Sequence, residues 1–352
     1  MTGAVLAIDG GNSKTDVALV GADGRLMSAV RGGASNHQTV GRAQALSVLR
    51  ALVRDAASQA GLPADGPVAA HTSACLAGAD LPEEEEELRL LVSGQGWSAS
   101  SSVVNDTFAV LRSGLNDAAE THWGIGVVCG TAMNCVAVAP GGDTTRFLAL
   151  GSLSGDWGGG SDLGDAALWW AARAEDGRGP DTMLRALVPA HFRLASVHEV
   201  IVAIHRGKIG PSDLAALSPV LLAAASEGDT VAADLVARQG AEVCVLAAAA
   251  AERLGLADLA VPVVLGGSVL TARHPLLTTA VTAGLAARLP RAVIGIADVP
   301  PVVGAALLGL DEVGAPPAAA ARLRAALTGR HYGDGGWVTG SPAPATPQLS
   351  RG

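Results

Sequence analysis

The amino-acid sequence predicts an α/β protein built from two similar domains. Two segments, 4–20 and 122–138, share one pattern, in which an apolar strand meets a glycine-containing turn and a second apolar strand follows. They lie more than a hundred residues apart, which indicates one such unit in each domain. A chain of 352 residues is long enough for two separate cores. Its many Ala and 45 Gly residues suit small-residue helices packed on sheets.

The turn of the first unit suits a phosphate group. Apolar residues from Ala4 to Ile8 end at Asp9. Two glycines in the following turn let the backbone approach a ligand closely, and backbone N–H groups there can surround phosphate oxygens. Asp9, at the strand end, faces the same ligand and can hold a hydrated Mg²⁺. An ordinary hairpin with a glycine-rich turn fits this segment equally well.

Two later turns favour the phosphate interpretation. In the second unit, the turn with Gly130 and Thr131 joins two apolar strands. A third turn, at 266–268, follows the apolar run 261–265. Each turn is a weak signal alone, but their order and spacing favour two domains that offer backbone loops to one phosphate chain.

At these motifs the chain resembles the N-acetylglucosamine kinase and BadF/BadG-type ATPase family of the actin/hexokinase/Hsp70 superfamily. The segment 9–15 is similar to the first phosphate motif, 126–134 to the second and 266–268 to the adenosine motif. The resemblance covers about 4–310 and implies two ribonuclease-H-like (actin-like ATPase) domains with a hinged cleft. It also implies ATP as phosphoryl donor, with Mg²⁺ held through Asp9. The nucleotide-binding residues that it implies are Gly10, Gly11, Asn12, Ser13, Lys14, Thr15, Gly130, Thr131, Asn134, Gly266, Gly267 and Ser268.

The same resemblance implies the domain boundaries. The N-terminal domain comprises 1–115, joined by C-terminal helices at about 301–330, and the second domain comprises 116–300. From about residue 331 the chain is rich in Gly, Ser and Pro, which predicts a disordered tail.

The sequence predicts strands and helices in both domains. The acidic run 83–87 is expected at the N-terminus of a helix, where negative charge is favourable. In the first domain the predicted elements are a strand meander at 4–8, 16–20 and 26–31, a helix at 41–60, a strand at 68–76, a helix from 83 and a short strand at 103–104. In the second they are a meander through 121–150, helices at 163–174, 183–188, 197–205, 213–225 and 230–254, a strand at 261–265 and a helix at 275–289. The returning helices are 301–310 and 315–328.

A glycine-rich loop after the third strand contains Ser35 and Asn36. An Asn amide offers both a donor and an acceptor to sugar hydroxyls. Either residue can instead cap the next helix. The family resemblance favours sugar binding, since Asn36 matches the sugar-binding Asn of the family.

Asp106 follows Asn105 at the end of an apolar strand, where α/β folds place ligands. From its position alone it can equally be a helix N-cap. Sugar kinases of the superfamily have an Asp at this location that accepts the proton of the attacking hydroxyl. The resemblance therefore implies that Asp106 binds the sugar and is the catalytic base, in a reaction that otherwise needs mainly positioning and electrostatic stabilisation.

The segment 151–165 resembles the Gly-Gly-Trp-Gly…Gly-Asp-Glu-Gly-Ser block with which the family closes over the sugar. Asp156 replaces the second Gly, about two extra residues separate Trp157 from the Gly-Asp pair, and Ala-Ala-Leu at 166–168 replaces Glu-Gly-Ser. Asp165 keeps the place of the sugar-binding Asp, and Asp162 is the alternative if the insertion shifts the register. The sugar-binding residues implied in full are Ser35, Asn36, Asp106, Asp156, Trp157, Gly158 and Asp165.

The departure at Asp156 bears on the substrate. In the family, the Gly-Trp-Gly part lies against the 2-acetamido group of the sugar. A carboxylate there favours a charged 2-ammonium by roughly 1.5–3 kcal/mol, a factor of about ten to a hundred in affinity. The predicted reaction is therefore phosphorylation of the 6-hydroxyl of D-glucosamine, with N-acetylglucosamine as the alternative acceptor. An Asp156 that faces solvent or caps a turn would carry no such preference.

Net charge and the distribution of apolar residues restrict which partners and which location are expected. The net charge of −9 argues against nucleic acid or an anionic membrane as a partner. No secretory signal or bilayer-spanning apolar stretch is visible, so a cytoplasmic location is expected. Related kinases are commonly dimers, which predicts a homodimer.

Two other functions compete with a sugar kinase. Relatives of the BadF/BadG type that activate dehydratases hold an iron–sulfur cluster through cysteines. The four cysteines here form no CxxC pair and lie in apolar segments, which predicts structural thiols. Activation of a partner protein is therefore the more distant alternative. A sugar-sensing regulator would need a DNA-binding segment, and the chain starts directly at the nucleotide motif.

Overall fold

The computed structural model describes residues 3–63, 66–115, 122–327, 330–333 and 336–339. The chain forms two compact α/β units. Unit 1 contains Met1–Ser113 and Asp298–Gly352, and unit 2 contains Gly114–Ala297. In the described residues, no helix is both long enough and apolar enough to cross a bilayer.

Unit 1 is organised around a five-stranded mixed sheet. Its elements are β1 (Gly3–Gly10), β2 (Thr15–Val20), β3 (Leu26–Gly32), α1 (His37–Val40), α2 (Arg42–Gln59), β4 (Ala69–Leu76), α3 (Pro82–Ser93), β5 (Ser98–Asn105) and α4 (Asp106–Gly114). The strand order is β3-β2-β1-β4-β5. The first three strands form the predicted antiparallel meander, and β1, β4 and β5 pair in parallel. The carboxyl ends of these three strands therefore lie at one edge of the sheet.

Each face of this sheet packs in its own apolar cluster. Successive side chains of a strand point to opposite faces, so neighbouring residues of β1 belong to different clusters. Leu6 and Ile8 join one apolar cluster with the buried side of α2, whereas Val5 and Ala7 join a second cluster. That second cluster includes residues of two helices that follow unit 2 in the chain, α12 (Pro301–Glu312) and α13 (Pro317–Leu327). The C-terminal helices thus complete the core of unit 1.

Unit 2 is organised around a second five-stranded mixed sheet. Its elements are β6 (Gly124–Cys129), β7 (Met133–Val138), β8 (Thr144–Arg146), α5 (Gly160–Glu175), α6 (Leu184–His191), α7 (Val197–His205), α8 (Ser218–Ser226), α9 (Thr230–Arg253), β9 (Pro262–Gly266), α10 (Ser268–Thr271), α11 (Pro275–Arg288) and β10 (Val293–Ile296). The strand order is β10-β9-β6-β7-β8. β6 to β8 are antiparallel, and β6, β9 and β10 are parallel. One large apolar cluster, to which α5, α9 and α11 contribute, forms the core.

Apart from the short helices α1 and α10, which were not predicted, four regions differ from the sequence prediction. β5 begins at Ser98 rather than 103, because pairing with β4 extends the strand through a run of serines. The helix predicted at 213–225 is a 3-10 helix at Pro211–Leu217 followed by α8, whose first turn contains Pro219. A proline fits the first turn of a helix but not its interior. The short strand β10 was not predicted.

The fourth difference lies in the C-terminal tail. Two strands, β11 (Arg330–Gly333) and β12 (Gly336–Thr339), pair as an antiparallel hairpin within the segment for which disorder was predicted. Composition alone does not register such a pairing, and the disordered tail from about residue 331 stays a prediction. Residues 340–352 lie outside the described part of the chain.

Candidate functional site

The turn after β1 presents exposed residues at the carboxyl end of the strand. Asn12, Ser13 and Lys14 are exposed, and the Gly11 N–H donates to the Lys14 carbonyl (2.9 Å). Thr15 differs from them, because it is fully buried and its hydroxyl lies 2.8 Å from both the Gly33 carbonyl and Ser35 Oγ. The Thr15 side chain thus holds the turn against the neighbouring loop, and the polar groups open to a ligand come from the residues before it.

Asp9 is a buried carboxyl at the end of β1, with only 8% of its surface exposed. No described group donates a hydrogen bond to it. Burial, followed by the negative charges of Asp16 and Asp106, raises the pKa of Asp9 to about 8, while Lys14 and Arg31 oppose the shift. A buried carboxyl with these neighbours favours either a proton or a cation, and a hard cation such as Mg²⁺ takes carboxylate and water ligands. The donor chemistry of this position therefore fits a magnesium ion.

Asp16, which pairs with Asp9 across β1 and β2, is neutralised by a basic residue that sequence reasoning missed. Arg31 binds Asp16 through two hydrogen bonds of 2.6 and 2.8 Å, and Asp16 is fully buried. Lys14 Nζ lies 3.6 Å from the same carboxylate. The arrangement keeps two cations beside the phosphate turn.

Ser35 and Asn36 are buried beside that turn. The Ser35 N–H donates to the Gly11 carbonyl (3.2 Å). Asn36 caps α1 by accepting from the Gln38 N–H (2.9 Å), and its Nδ2 donates to Asn12 Oδ1 (2.7 Å). The capping role that the sequence left open is therefore present, and Asn36 also ties the two loops together.

Asp106 is the first residue of α4, at the end of β5. The helix is capped by its neighbour, since Asn105 Oδ1 accepts from the Thr107 N–H (2.9 Å). Asn105 Nδ2 also donates to Asp80 Oδ1 (2.9 Å), which brings a second carboxylate to this edge. Burial, then the charge of Asp80, raises the pKa of Asp106 to about 7, against a smaller opposing effect of the backbone N–H groups of Thr107 and Asp106 itself.

In unit 2, the turn between β6 and β7 adjoins the start of α5. The Gly160 N–H donates to the Gly130 carbonyl (2.8 Å), and the Ser161 N–H donates to the Thr131 carbonyl (3.0 Å). Thr131 is exposed, and Asn134 Oδ1 accepts from the Cys135 N–H (2.7 Å). The start of α5 thus fixes the carbonyl groups of the turn, while the Thr131 side chain stays exposed.

The Gly266-Gly267-Ser268 turn adjoins the same β6 strand. Gly266 pairs with Val128, and Gly267 has a φ of +83°, a conformation that favours glycine. A Cβ at Gly267 would collide with the Cys129 carbonyl oxygen. Ser268, at the start of α10, is exposed. The close approach of the Gly267 backbone to Cys129 explains why a glycine occupies position 267.

A cavity of about 220 Å³ lies between these two turns and the segment that includes the start of α8. Its lining is largely small or apolar: Gly130, Thr131, Gly160, Ala215, Ala216, Ser218, Pro219, Leu222, Ser268, Val269 and Ala272. Sequence reasoning missed the contribution of 215–222, because that segment carries no motif and meets the turns only through folding. The cavity suits a flat apolar group joined to phosphates.

The loop before α5 is held by carboxylates and by α9. Asp156 Oδ2 accepts a hydrogen bond from Ser154 Oγ (2.5 Å), a side-chain contact within the same loop. Asp162 Oδ2 accepts from the N–H groups of Gly158 and Gly159, both at 3.0 Å. Asp165 accepts no such bond from the part of the chain that the structure describes, and burial, then the charge of Asp162, raises the pKa of Asp165.

A second cavity, of about 470 Å³, is lined by aromatic and charged side chains: Trp157, Asp162, Asp165, Ala166, Trp169, Trp170 and Arg238. The Arg238 guanidinium lies 3.8 Å from the centre of the Trp157 ring. Both Asp162 and Asp165, the two alternatives for the sugar-binding Asp, border this cavity. Aromatic faces with carboxylates offer apolar contact and hydrogen-bond acceptors to a polyhydroxylated ligand.

Comparison with known proteins agrees with this architecture. A protein of Chromobacterium violaceum described as a candidate N-acetylglucosamine kinase has a similar structure, with a TM-score of 0.67, 26% identity and coverage of 88% of this chain and 99% of that one. The chain is 28% identical over 269 residues to the N-acetylmuramic acid/N-acetylglucosamine kinase of Clostridium acetobutylicum, which covers 76% of this chain and 85% of that one. It is 24% identical over 315 residues to the N-acetyl-D-glucosamine kinase of Dictyostelium discoideum, covering 87% and 98%.

The two α/β units and the three turns define a protein with the actin-like ATPase fold in its sugar-kinase form. The model of the BadF/BadG/BcrA/BcrD ATPase family matches residues 6–309. The chain belongs to this family, as its motifs predicted.

Proposed function

We propose that the protein transfers the γ-phosphoryl group of ATP to the 6-hydroxyl of an amino sugar. The observation that carries this proposal is Asp106, a carboxyl at the carboxyl end of β5 whose pKa is raised to about 7. A general base works best when its pKa lies near the operating pH. The kinases with which the chain shares 24–28% identity support a sugar as acceptor.

In the proposed reaction, Asp106 accepts the proton of the 6-hydroxyl of the sugar. The hydroxyl oxygen bonds to the γ-phosphorus of ATP as the bond between that phosphorus and ADP breaks. The turns after β1 and β6 present backbone N–H groups to the phosphates, and Lys14 adds positive charge. Mg²⁺ bound through Asp9 would neutralise phosphate charge as it redistributes during transfer. The cavity bounded by 215–222 and the third turn would hold the adenosine.

The acceptor proposed first is D-glucosamine, on the chemistry of a carboxylate at Asp156. The hydrogen bond from Ser154 uses one oxygen of that carboxylate, Oδ2. N-acetylglucosamine is the second candidate, and two observations favour it: the names of the two kinases compared above, and the tie of Asp156 to its own turn.

A coupled ADP-release assay with glucosamine, N-acetylglucosamine and glucose separates these acceptors. If Asp156 pairs with the 2-ammonium, Asp156→Gly should lower kcat/KM for glucosamine about ten- to a hundredfold and spare glucose. Asp143→Gly, which removes an exposed carboxylate from the turn between β7 and β8, is the matched control. A wild-type enzyme that prefers N-acetylglucosamine at neutral pH contradicts the glucosamine proposal.

The same assay tests the family's other kind of function. A sugar kinase forms ADP only as it transfers the phosphoryl group to its sugar, whereas an ATPase that activates a partner protein hydrolyses ATP without sugar. The predicted homodimer belongs to this proposal, and sedimentation of the purified protein tests it. Fractionation of the source cells tests the predicted cytoplasmic location.

A further inference from the structure

α9 contains one buried amide among apolar and small residues. Gln239 is fully buried, and its position continues the buried side of the helix set by Leu235 and Val236. The other buried residues of α9 are Val, Leu, Ala, Gly and Cys. Gln239 Oε1 has no hydrogen-bond partner within the described structure, so the acceptor side of the amide is buried unpaired. Core packing alone would be served better by an apolar side chain, because an unpaired buried polar atom is unfavourable.

The other half of the amide reaches the loop before α5. Gln239 Nε2 donates to the Gly158 carbonyl at 2.7 Å, across 81 residues of sequence. The N–H of Gly158 is bound at the same time by Asp162. Gly158 has a φ of +127°, and a Cβ there would lie 3.4 Å from Gln239 Cγ and from Met133 Cε. Both backbone groups of Gly158 are therefore fixed in a conformation that favours glycine.

Arg238, which precedes Gln239, contacts Trp157, which precedes Gly158. The Arg238 guanidinium covers the Trp157 ring at 3.8 Å, and the nearest carboxylate pairing of Arg238, with Glu242, is 4.0 Å long. Two consecutive residues of one rigid helix thus fix two consecutive residues of the loop. The Gln239 hydrogen bond fixes the Gly158 backbone, and the Arg238 contact fixes the Trp157 ring, which borders the 470 Å³ cavity.

We infer that Gln239 is a positioning residue for the acceptor, acting through the Gly158 carbonyl on the Trp157-Gly158 segment. The inference rests on the proposed function in that this segment is taken to contact the sugar. Removing the hydrogen bond should leave the nucleotide turns of unit 2 in place, because Gly130 and Thr131 accept from N–H groups of α5 and Gly266 pairs with Val128 of β6.

The test compares Gln239→Glu and Gln239→Met with wild type and with Gln95→Glu. Gln95 is the matched control, since its Nε2 also donates to a backbone carbonyl (Leu91, 2.8 Å) but in unit 1. Gln239→Met should raise KM for the acceptor about three- to tenfold and leave KM for ATP unchanged. Tm should be measured for each variant, since a merely structural role predicts a loss of Tm with both KM values altered together.

The Gln239→Glu variant adds a pH signature. An ionised carboxylate cannot donate to the Gly158 carbonyl, whereas a protonated carboxyl can. A carboxyl introduced at this fully buried position has a raised pKa, because burial disfavours its charged form. The ratio of variant to wild-type kcat/KM for the acceptor should therefore recover towards one as pH falls. Gln239→Met and Gln95→Glu should show ratios that do not change with pH.

A ratio for Gln239→Glu that stays low and flat as pH falls, or an equal rise of both KM values in Gln239→Met, overturns the inference. If wild type phosphorylates no amino sugar, the proposed function fails and the positioning role is read from hydrogen–deuterium exchange instead. Faster exchange confined to 155–163 in Gln239→Met then supports the role. Exchange equal to that of wild type overturns it.

Discussion

At the scale of single residues, the carboxyl groups at the edge of the unit 1 sheet govern the expected pH dependence. Burial and Asp80 raise the pKa of Asp106 to about 7. A base must be ionised, so kcat/KM for the sugar at saturating MgATP should fall about tenfold per pH unit below that value. Asp106→Asn should lower kcat by about 10²–10⁴-fold and keep sugar affinity within about tenfold. A pH–rate profile with steady-state kinetics measures both effects.

Asp80 supplies the control for this prediction. Asp80→Asn keeps an oxygen for the Asn105 amide but removes the negative charge that helps to raise the pKa of Asp106. The acidic limb of the profile should therefore move to lower pH. An unchanged limb in Asp80→Asn, or retention of a tenth of wild-type kcat in Asp106→Asn, would remove Asp106 from the role of base.

At the scale of elements, the close approach of β6 and the third turn makes a prediction about nucleotide binding. In Gly267→Val, the added side chain meets the Cys129 carbonyl and takes up a φ that only glycine adopts easily. The displaced turn should raise KM for ATP more than KM for the sugar. Steady-state kinetics with each substrate varied in turn measures this difference.

Gly295→Ala is the matched control for that prediction. It lies in β10 of the same sheet, and a Cβ there meets no atom within 4 Å. Both of its KM values should stay at the wild-type level. If Gly267→Val instead affects mainly the sugar, the assignment of the third turn to adenosine is wrong.

How much of this could be predicted from sequence differs between elements. The meander β1 to β3 and the long helices followed from apolar periodicity and turn residues, which are local signals. β10 has only four residues, interrupted by Gly295, and it becomes a strand by pairing with β9. The serine run that begins β5 likewise depends on β4. Tertiary pairing, rather than propensity, decides such short or polar strands.

The candidate site divides in the same way. Asp9, the glycines of the three turns and Asp106 stood out because each follows an apolar strand. Gln239 is 81 residues from its partner Gly158, and that contact carries no local pattern. One signal was nonetheless available, since Gln239 lies at the helical spacing of the buried face of α9. A lone amide on an apolar helix face indicates a buried hydrogen bond whose partner only the fold reveals.

At the scale of the whole molecule, unit 1 is discontinuous in sequence. Its second apolar cluster joins β1 and β2 to α12 and α13, which follow all of unit 2 in the chain. Arg112 in α4 also pairs with Asp311 in α12 at 2.8 Å. The hinge that the family resemblance implies stays a prediction. The two cores, by contrast, share no residues, so damage to one core should be measurable separately from the other.

Gly304 in α12 tests this separation. It packs against α4 so closely that a Cβ would collide with the Ala109 carbonyl oxygen. Gly304→Val should therefore destabilise unit 1 by about 1–3 kcal/mol or more, since the core has no room for the added carbons. Hydrogen–deuterium exchange should quicken in β1, β4 and α4 while β6, β9 and α9 keep wild-type protection, and calorimetry should show the loss of stability. Gly141→Ala, where a Cβ meets nothing within 4 Å, should leave both units unchanged. Equal loss of protection in the two sheets would mean that the units unfold as one cooperative body, and the C-terminal helices would then stabilise the whole chain rather than the core they complete.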